Sequence, residues 1–325
     1  MKLDQDLSDL SPALVLDGAV ALPAAPSADL LPEEIAAHAK QPTLMHDLVE
    51  LSKLRLNFMV LVTTMVGYAM SNPVWSNWGL LLHTLIGTAL TAAAASILNQ
   101  YIEQPHDILM VRTKRRPLPA GRITPIAALS LGVVAGVVGL LELYFWVNPL
   151  TASIGAVTTA IYILVYTPLK RVTTLNTVVG AIPGALPPVM GVAAVSGEVT
   201  PIGWALFGIL FFWQMPHFLA IAILYREDYA RGGFKMLPVV DPELIATGRQ
   251  MIFYALALIP VSMLPSVLRS TGPFYFIAAL AMGLAFLGFV SVAAVTRRRG
   301  DARQVFLASI LYLPCLLAAM IVDKL

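Results

Sequence analysis

The feature that most limits what this chain can become is a series of apolar runs. Each is close to the ~20 residues a helix needs to cross the roughly 30 Å hydrocarbon core of a bilayer. Nine such runs occur, at 56–72, 77–98, 124–146, 150–167, 177–196, 200–224, 250–269, 273–295 and 304–322, bounded by charge or by Pro and Gly. Inside lipid each segment has to satisfy its own backbone N–H and C=O groups, so the runs predict an all-α bundle of nine transmembrane helices. Only 12% of the residues are Asp, Glu, Lys or Arg, which is about half the share of an ordinary soluble domain, ~25%.

Short cytoplasmic loops collect Lys and Arg, and this tests the threading. With the N-terminus in the cytoplasm, nineteen of the 21 basic residues fall on the cytoplasmic side; only Arg269 and Lys324 fall on the other. One helix more or fewer would scramble that bias. The C-terminus is therefore expected on the opposite side. The net charge of +2 removes the electrostatic case for a nucleic-acid partner. The single Cys315 excludes an internal disulfide and a Cys-based metal cluster.

Residues 1–50 read as an acidic, loosely ordered cytoplasmic extension, and 51–325 as the membrane domain. The first 50 residues hold Asp4, Asp6, Asp9, Asp17, Asp29, Glu33, Glu34, Asp47 and Glu50 together with five prolines. They match neither an Arg-rich transit peptide nor a secretory signal. An amphipathic surface helix is expected around Glu34 to Leu54.

Two long loops on the cytoplasmic side carry both signs of charge, 99–123 after the second helix and 225–249 after the sixth. In the first, Asn99, Glu103 and Asp107 are spaced by four. They drift only ~40° per step on a helix, so their oxygens can face one point. Hard oxygen ligands in this pattern suit Mg²⁺, which takes one or two carboxylates plus substrate phosphates. Pro105 is expected to kink the helix between the two acids. Downstream, Arg112, Lys114, Arg115 and Arg116 supply charge for phosphate oxygens. The second loop repeats the theme with Arg226, Glu227, Asp228, two glycines and Lys235. Asp228 is its better metal candidate, because Glu227 points about 100° away. Glu198 is the only charge in the short connections on the other face, at 147–149 and 196–200, so chemistry is not expected there.

These residues carry a resemblance. The stretches Asn99 to Pro119, Tyr166-Thr-Pro-Leu-Lys170-Arg171, Gly180 to Gly191, Trp213-Gln-Met-Pro216-His217-Phe218 and Arg226-Glu-Asp228-Tyr229 are similar to the UbiA superfamily of intramembrane prenyltransferases, closest to its haem-farnesylating branch. The likeness covers about Leu51 to Met320. It implies a nine-helix membrane fold in the bacterial cytoplasmic (inner) membrane, with farnesyl diphosphate and haem B as substrates. The farnesyl carbon would join a vinyl group of the porphyrin and water would add, giving haem O and diphosphate. The resemblance also implies Mg²⁺ as cofactor and handover of haem O to a haem-modifying enzyme or an oxidase.

Asn99, Glu103 and Asp107 fall on the family's Asn-x-x-x-Asp-x-x-x-Asp pattern, with Glu in place of the first Asp, and Asp228 falls on the start of the second motif. These four are the expected catalytic and metal-binding residues. Arg112, Lys114, Arg115, Lys170, Arg226 and Lys235 are the expected diphosphate-binding cations. Gly232 stands where the second motif would have its second acid. One metal ion or two therefore both fit, with Lys235 able to supply charge instead.

His217 lies near the middle of the sixth apolar run, and an ionisable side chain at that depth marks a functional site by default. Haem contact or proton handling is its expected role, against that of a structural histidine bonded to a neighbouring helix. Two other readings stand beside this one. The same diphosphate apparatus could prenylate another acceptor, such as a hydroxybenzoate, a quinone precursor or a chlorophyllide. A secondary transporter is the alternative of another class, but transporters keep their ionisable groups near the bilayer midplane, whereas these sit at one face.

Overall fold

The computed structural model describes residues 42–71 and 77–325. The expected loosely ordered tail lies, up to residue 41, outside the described residues. Among those described, nine helices are long and apolar enough to cross a membrane.

A short helix α1, Leu44–Leu51, comes first. The nine spans follow: α2 Leu54–Ser71, α3 Trp78–Asp107, α4 Pro125–Trp146, α5 Pro149–Leu169, α6 Asn176–Ser196, α7 Pro201–Leu224, α10 Ile245–Val267, α11 Pro273–Thr296 and α12 Arg299–Val322. Two small helices, α8 Arg226–Arg231 and α9 Leu237–Val240, lie between α7 and α10. Every expected apolar run is recovered as a helix. The protein is a multi-span membrane protein.

Local chemistry explains many of the helix starts. Thr124 and Asn148 accept the N–H groups of Ala127 and Thr151, and each precedes a proline at the first helical position. There the missing N–H costs nothing, because no intrahelical partner exists for it. Pro201 and Pro273 start α7 and α11 in the same way.

The expected surface helix ends earlier than Leu54. α1 stops at Leu51, and Ser52 and Lys53 form a turn. Lys53 takes the left-handed conformation, φ 50°, which is uncommon for a residue with a side chain. Leu51 is fully buried against Ile97 and Leu118, and Asp47 pairs with Arg122 at 2.9 Å. Thr43–Leu325 accordingly forms one compact unit.

α3 runs as one helix past Pro105 to Asp107. Pro105 has no N–H to give the Tyr101 carbonyl, so the last turns of the helix forgo one ladder bond. α5 instead carries an irregularity with no counterpart in the sequence reading. Ile161–Tyr166 is wound as a π-helix, and the Thr167 N–H bonds the Tyr162 carbonyl. Such insertions recur at functional sites.

The first and fifth spans touch backbone to backbone. A Cβ on Gly67 would lie 2.0 Å from the Pro188 carbonyl oxygen, and one on Gly191 would lie 2.0 Å from the Thr64 carbonyl oxygen. Lipid offers no hydrophobic drive between helices, so close packing of small residues has to supply the attraction. The helix ends sort onto two faces. On one, Lys53 meets Asn99, Lys170 meets Glu103, and Arg299 bonds the Leu224 carbonyl. On the other, Tyr68 bonds the Asn77 carbonyl, Asn148 that of Ala193, and Lys324 that of Ala69.

Candidate diphosphate and metal site

α3 presents Asn99, Glu103 and Asp107 on one face, and all three are buried, at 0%, 5% and 0% exposure. Carboxylates held this far from water need partners. Each of the three residues has one cation against it. Lys53 donates to Asn99 Oδ1 at 3.0 Å, Lys170 to Glu103 Oε1 at 2.6 Å, and Arg116 to Asp107 Oδ2 at 2.7 Å. The cations come from three separate segments of chain: the turn before the first span, the end of α5, and the first loop.

The remaining bonds fix the geometry. Asn99 Nδ2 donates to Thr167 Oγ1 at 3.0 Å, and Thr167 Oγ1 donates to the Tyr162 carbonyl at 2.8 Å. The π-turn of α5 is thereby locked to the face of α3 that carries Asn99, Glu103 and Asp107. Lys170 lies 4.5 Å from the centre of the Tyr166 ring. Although burial opposes it, Glu103 and the tyrosine rings raise the pKa of Lys170, so it is a fixed positive charge. Burial, with Arg116 close by, pushes the Lys53 amine down to about 7.

The second loop closes the other side. Asp228 accepts the backbone N–H groups of Val111 at 3.1 Å and Arg112 at 3.3 Å, and it pairs with Arg231. Against the burial that opposes ionisation, these donors hold its carboxyl below the usual range. The Lys235 backbone N–H bonds the Lys170 carbonyl at 2.7 Å. A cavity of about 440 Å³ opens between the loops, lined by Glu103, His106, Thr167, Arg171 and Phe234 among others.

The expected cations divide into two groups. Lys170 is in the site. Arg112 stacks over the rings of Tyr225 and Tyr229. Arg226 bonds the Pro242 carbonyl, and Lys114, Arg115 and Lys235 are exposed on the loops. Lys53 and Thr167 were not expected. Lys53 reads as one more topology-setting charge, and Thr167 as part of an apolar run.

His217 lies outside this cluster, in the seam between α7 and α12. Its Nδ1 is 2.7 Å from Ser309 Oγ, and its ring stacks on Trp213 with centres 5.1 Å apart. Ser309 spends its one hydrogen on the Phe306 carbonyl. In the neutral ring, Nδ1 is therefore the donor and Nε2 carries the lone pair.

The sequence profile described as the UbiA prenyltransferase family matches residues 60–313. The chain belongs to the UbiA prenyltransferase family. Similar proteins include the protoheme IX farnesyltransferase of Solibacter usitatus, 47% identical over 86% of this chain and 99% of that protein. Another is the protoheme IX farnesyltransferase of Salinibacter ruber, 42% identical over 86% and 99%. Among solved structures, a UbiA homolog from Archaeoglobus fulgidus bound to GPP and Mg²⁺ shares the fold, with a TM-score of 0.62 and 16% identity over 84% of this chain and 99% of that one.

Proposed function

We infer that this UbiA-family chain transfers the farnesyl group of farnesyl diphosphate to a vinyl group of haem B, releasing diphosphate and giving haem O. The relatives named protoheme IX farnesyltransferase align along nearly their whole length, and no observation favours another acceptor or a transport role. The observation that carries the chemistry is the buried triplet Asn99, Glu103 and Asp107 with its three cations.

The residues fit Mg²⁺. They offer hard oxygens on one face, and the buried Asp107 Oδ1 has no hydrogen-bond partner, which is costly unless a cation serves it. We assign Asn99, Glu103 and Asp107 to the ion. Asp228 is the proposed ligand from the second loop, through the lone pair left over from Val111, Arg112 and Arg231. When bound, Mg²⁺ supplies positive charge to the departing diphosphate.

The chain's own residues perform the rest. Lys170 and Arg116 lie beside the acids, placed to receive the charge that develops as the allylic carbon–oxygen bond breaks. Arg112, Lys114, Arg115, Arg226 and Lys235, all carried by the two loops, are assigned to capturing the diphosphate. Phe234 and the apolar lining of the cavity keep water from the delocalised farnesyl cation. The vinyl π electrons then form the new carbon–carbon bond, and water adds to the resulting carbocation and loses a proton. His217, with Nε2 as a lone-pair donor, is the proposed haem contact.

We place the chain in the bacterial inner membrane with the site, the loops and the N-terminus in the cytoplasm, supported by the clustering of basic residues on the site's face. Membranes containing the chain, given haem B, farnesyl diphosphate and Mg²⁺, should yield a haem heavier by one farnesyl group and one hydroxyl. A mass spectrum with unchanged haem B would overturn the reading.

A further inference from the structure

The three bonds between cations and metal-ligand residues have a consequence for how the site fills. Lys53 Nζ sits on Asn99 Oδ1, the same oxygen that a divalent ion would take. A metal ion approaching alone has to displace the Lys53 amine and then tolerate it nearby, and the protonated amine repels the ion most strongly where water is scarce. A diphosphate gives that ammonium somewhere better to go, because it brings several anionic oxygens. Lys53 can follow them because it hangs from a turn of its own, with φ 50°, rather than from the middle of a span. That backbone conformation costs free energy, and strain of this kind gathers at functional sites. The turn is tethered on both sides. Asn57 Nδ2 donates to the Ser52 carbonyl at 2.7 Å, and Gln100 Nε2 donates to the Leu51 carbonyl at 2.5 Å. These bonds hold α1 and the Lys53 turn in register with the ligand face of α3.

We propose that Lys53 is a further diphosphate-binding cation, and that its bond to Asn99 makes the divalent ion and the prenyl diphosphate enter as a unit rather than separately. The inference rests on the reading of Asn99, Glu103 and Asp107 as the metal site. It goes beyond that reading by giving a residue outside both loops a role in coupling two ligands. Lys170 and Arg116 take part in the same exchange at Glu103 and Asp107, but Lys53 isolates it. Its partner Asn99 is neutral, so removing the lysine leaves no unpaired buried carboxylate.

The test uses the full-length protein in detergent, with Mn²⁺ as the metal probe read by electron paramagnetic resonance. A farnesyl thiodiphosphate that resists ionisation serves as the second ligand. Lys53→Met should bind Mn²⁺ alone about ten-fold more tightly than the parent, because a competing charge is gone. The same variant should bind the thiodiphosphate, with Mn²⁺ present, at least about ten-fold more weakly, because a phosphate contact is gone. The two effects have opposite signs, whereas a lysine that only supports the fold would weaken both. Lys53→Arg should restore thiodiphosphate affinity to within about three-fold, a margin well inside the effect of losing the contact. Unchanged affinities for both ligands in Lys53→Met, or a loss of both, would overturn the proposal while leaving the metal site standing. Failure of the parent protein to bind either ligand would overturn the site assignment with it.

Discussion

Asp228 accepts the backbone N–H of Val111 across 117 residues of chain, so the two long charged loops are one structure. The neighbouring N–H of Arg112 is held by the same carboxylate. Asp228→Ala removes both acceptors and frees Arg231. The first loop should then become more open to limited proteolysis, and turnover should fall by about 10² or more, as when a group that shapes an anion site is lost. Asp228→Asn keeps one acceptor oxygen and should leave digestion near that of the parent. An unchanged digestion pattern in Asp228→Ala would show that the clasp does not order the loop.

Glu103→Gln and Asp107→Asn keep shape and remove charge. Each should lower haem O formation by at least about 10², and the double variant should cost little beyond the worse single change, because groups acting on one ion are not additive. Mass-resolved haem O from membranes under controlled Mg²⁺ measures this. Near-parental product from both single variants would remove the acids from the metal site.

Cysteines placed at Gln104 and Gly233 in a Cys315→Ala background should react alike with a membrane-impermeant thiol reagent, and only from the cytoplasmic side. Opposite accessibility would mean that the two loops do not share a chamber.

His217→Ala should weaken haem binding or alkylation of haem while leaving farnesyl diphosphate affinity within about two-fold. Its ring stands ~11 Å from the end of α7 at 1.5 Å per residue, too far to reach the diphosphate end of the site. Because the ring also packs between Trp213 and Phe306, His217→Phe is the companion variant. It keeps the stacking and loses only the nitrogens. Parental haem affinity in His217→Phe would make His217 a packing residue.

The nine spans were legible in the sequence because length and apolarity are imposed by the bilayer itself. The ends of the helices were not. The second apolar run stops near residue 98, yet α3 continues to Asp107, because Asn99, Gln100 and Glu103 find partners in protein and so need neither lipid nor water. Spacing on one helix revealed Asn99, Glu103 and Asp107, since local periodicity maps directly to a shared face. The pairing of Glu103 with Lys170 joins residues 67 apart, and no local pattern encodes it. Lys53 was hidden differently. A cation beside a span already has a topological explanation, so nothing in the sequence asks for a second one. The π-turn of α5 also left no trace, since Ile161 to Tyr166 is apolar and would suit an ordinary helix equally well.

The contact of Gly67 and Gly191 with the facing backbone leaves no room for a side chain between the first and fifth spans. A flat ring dissolved in the membrane cannot slip between them, because prising them apart would forfeit the tight packing that holds them together. The doorway for the acceptor therefore belongs to another pair of helices or to the loop side.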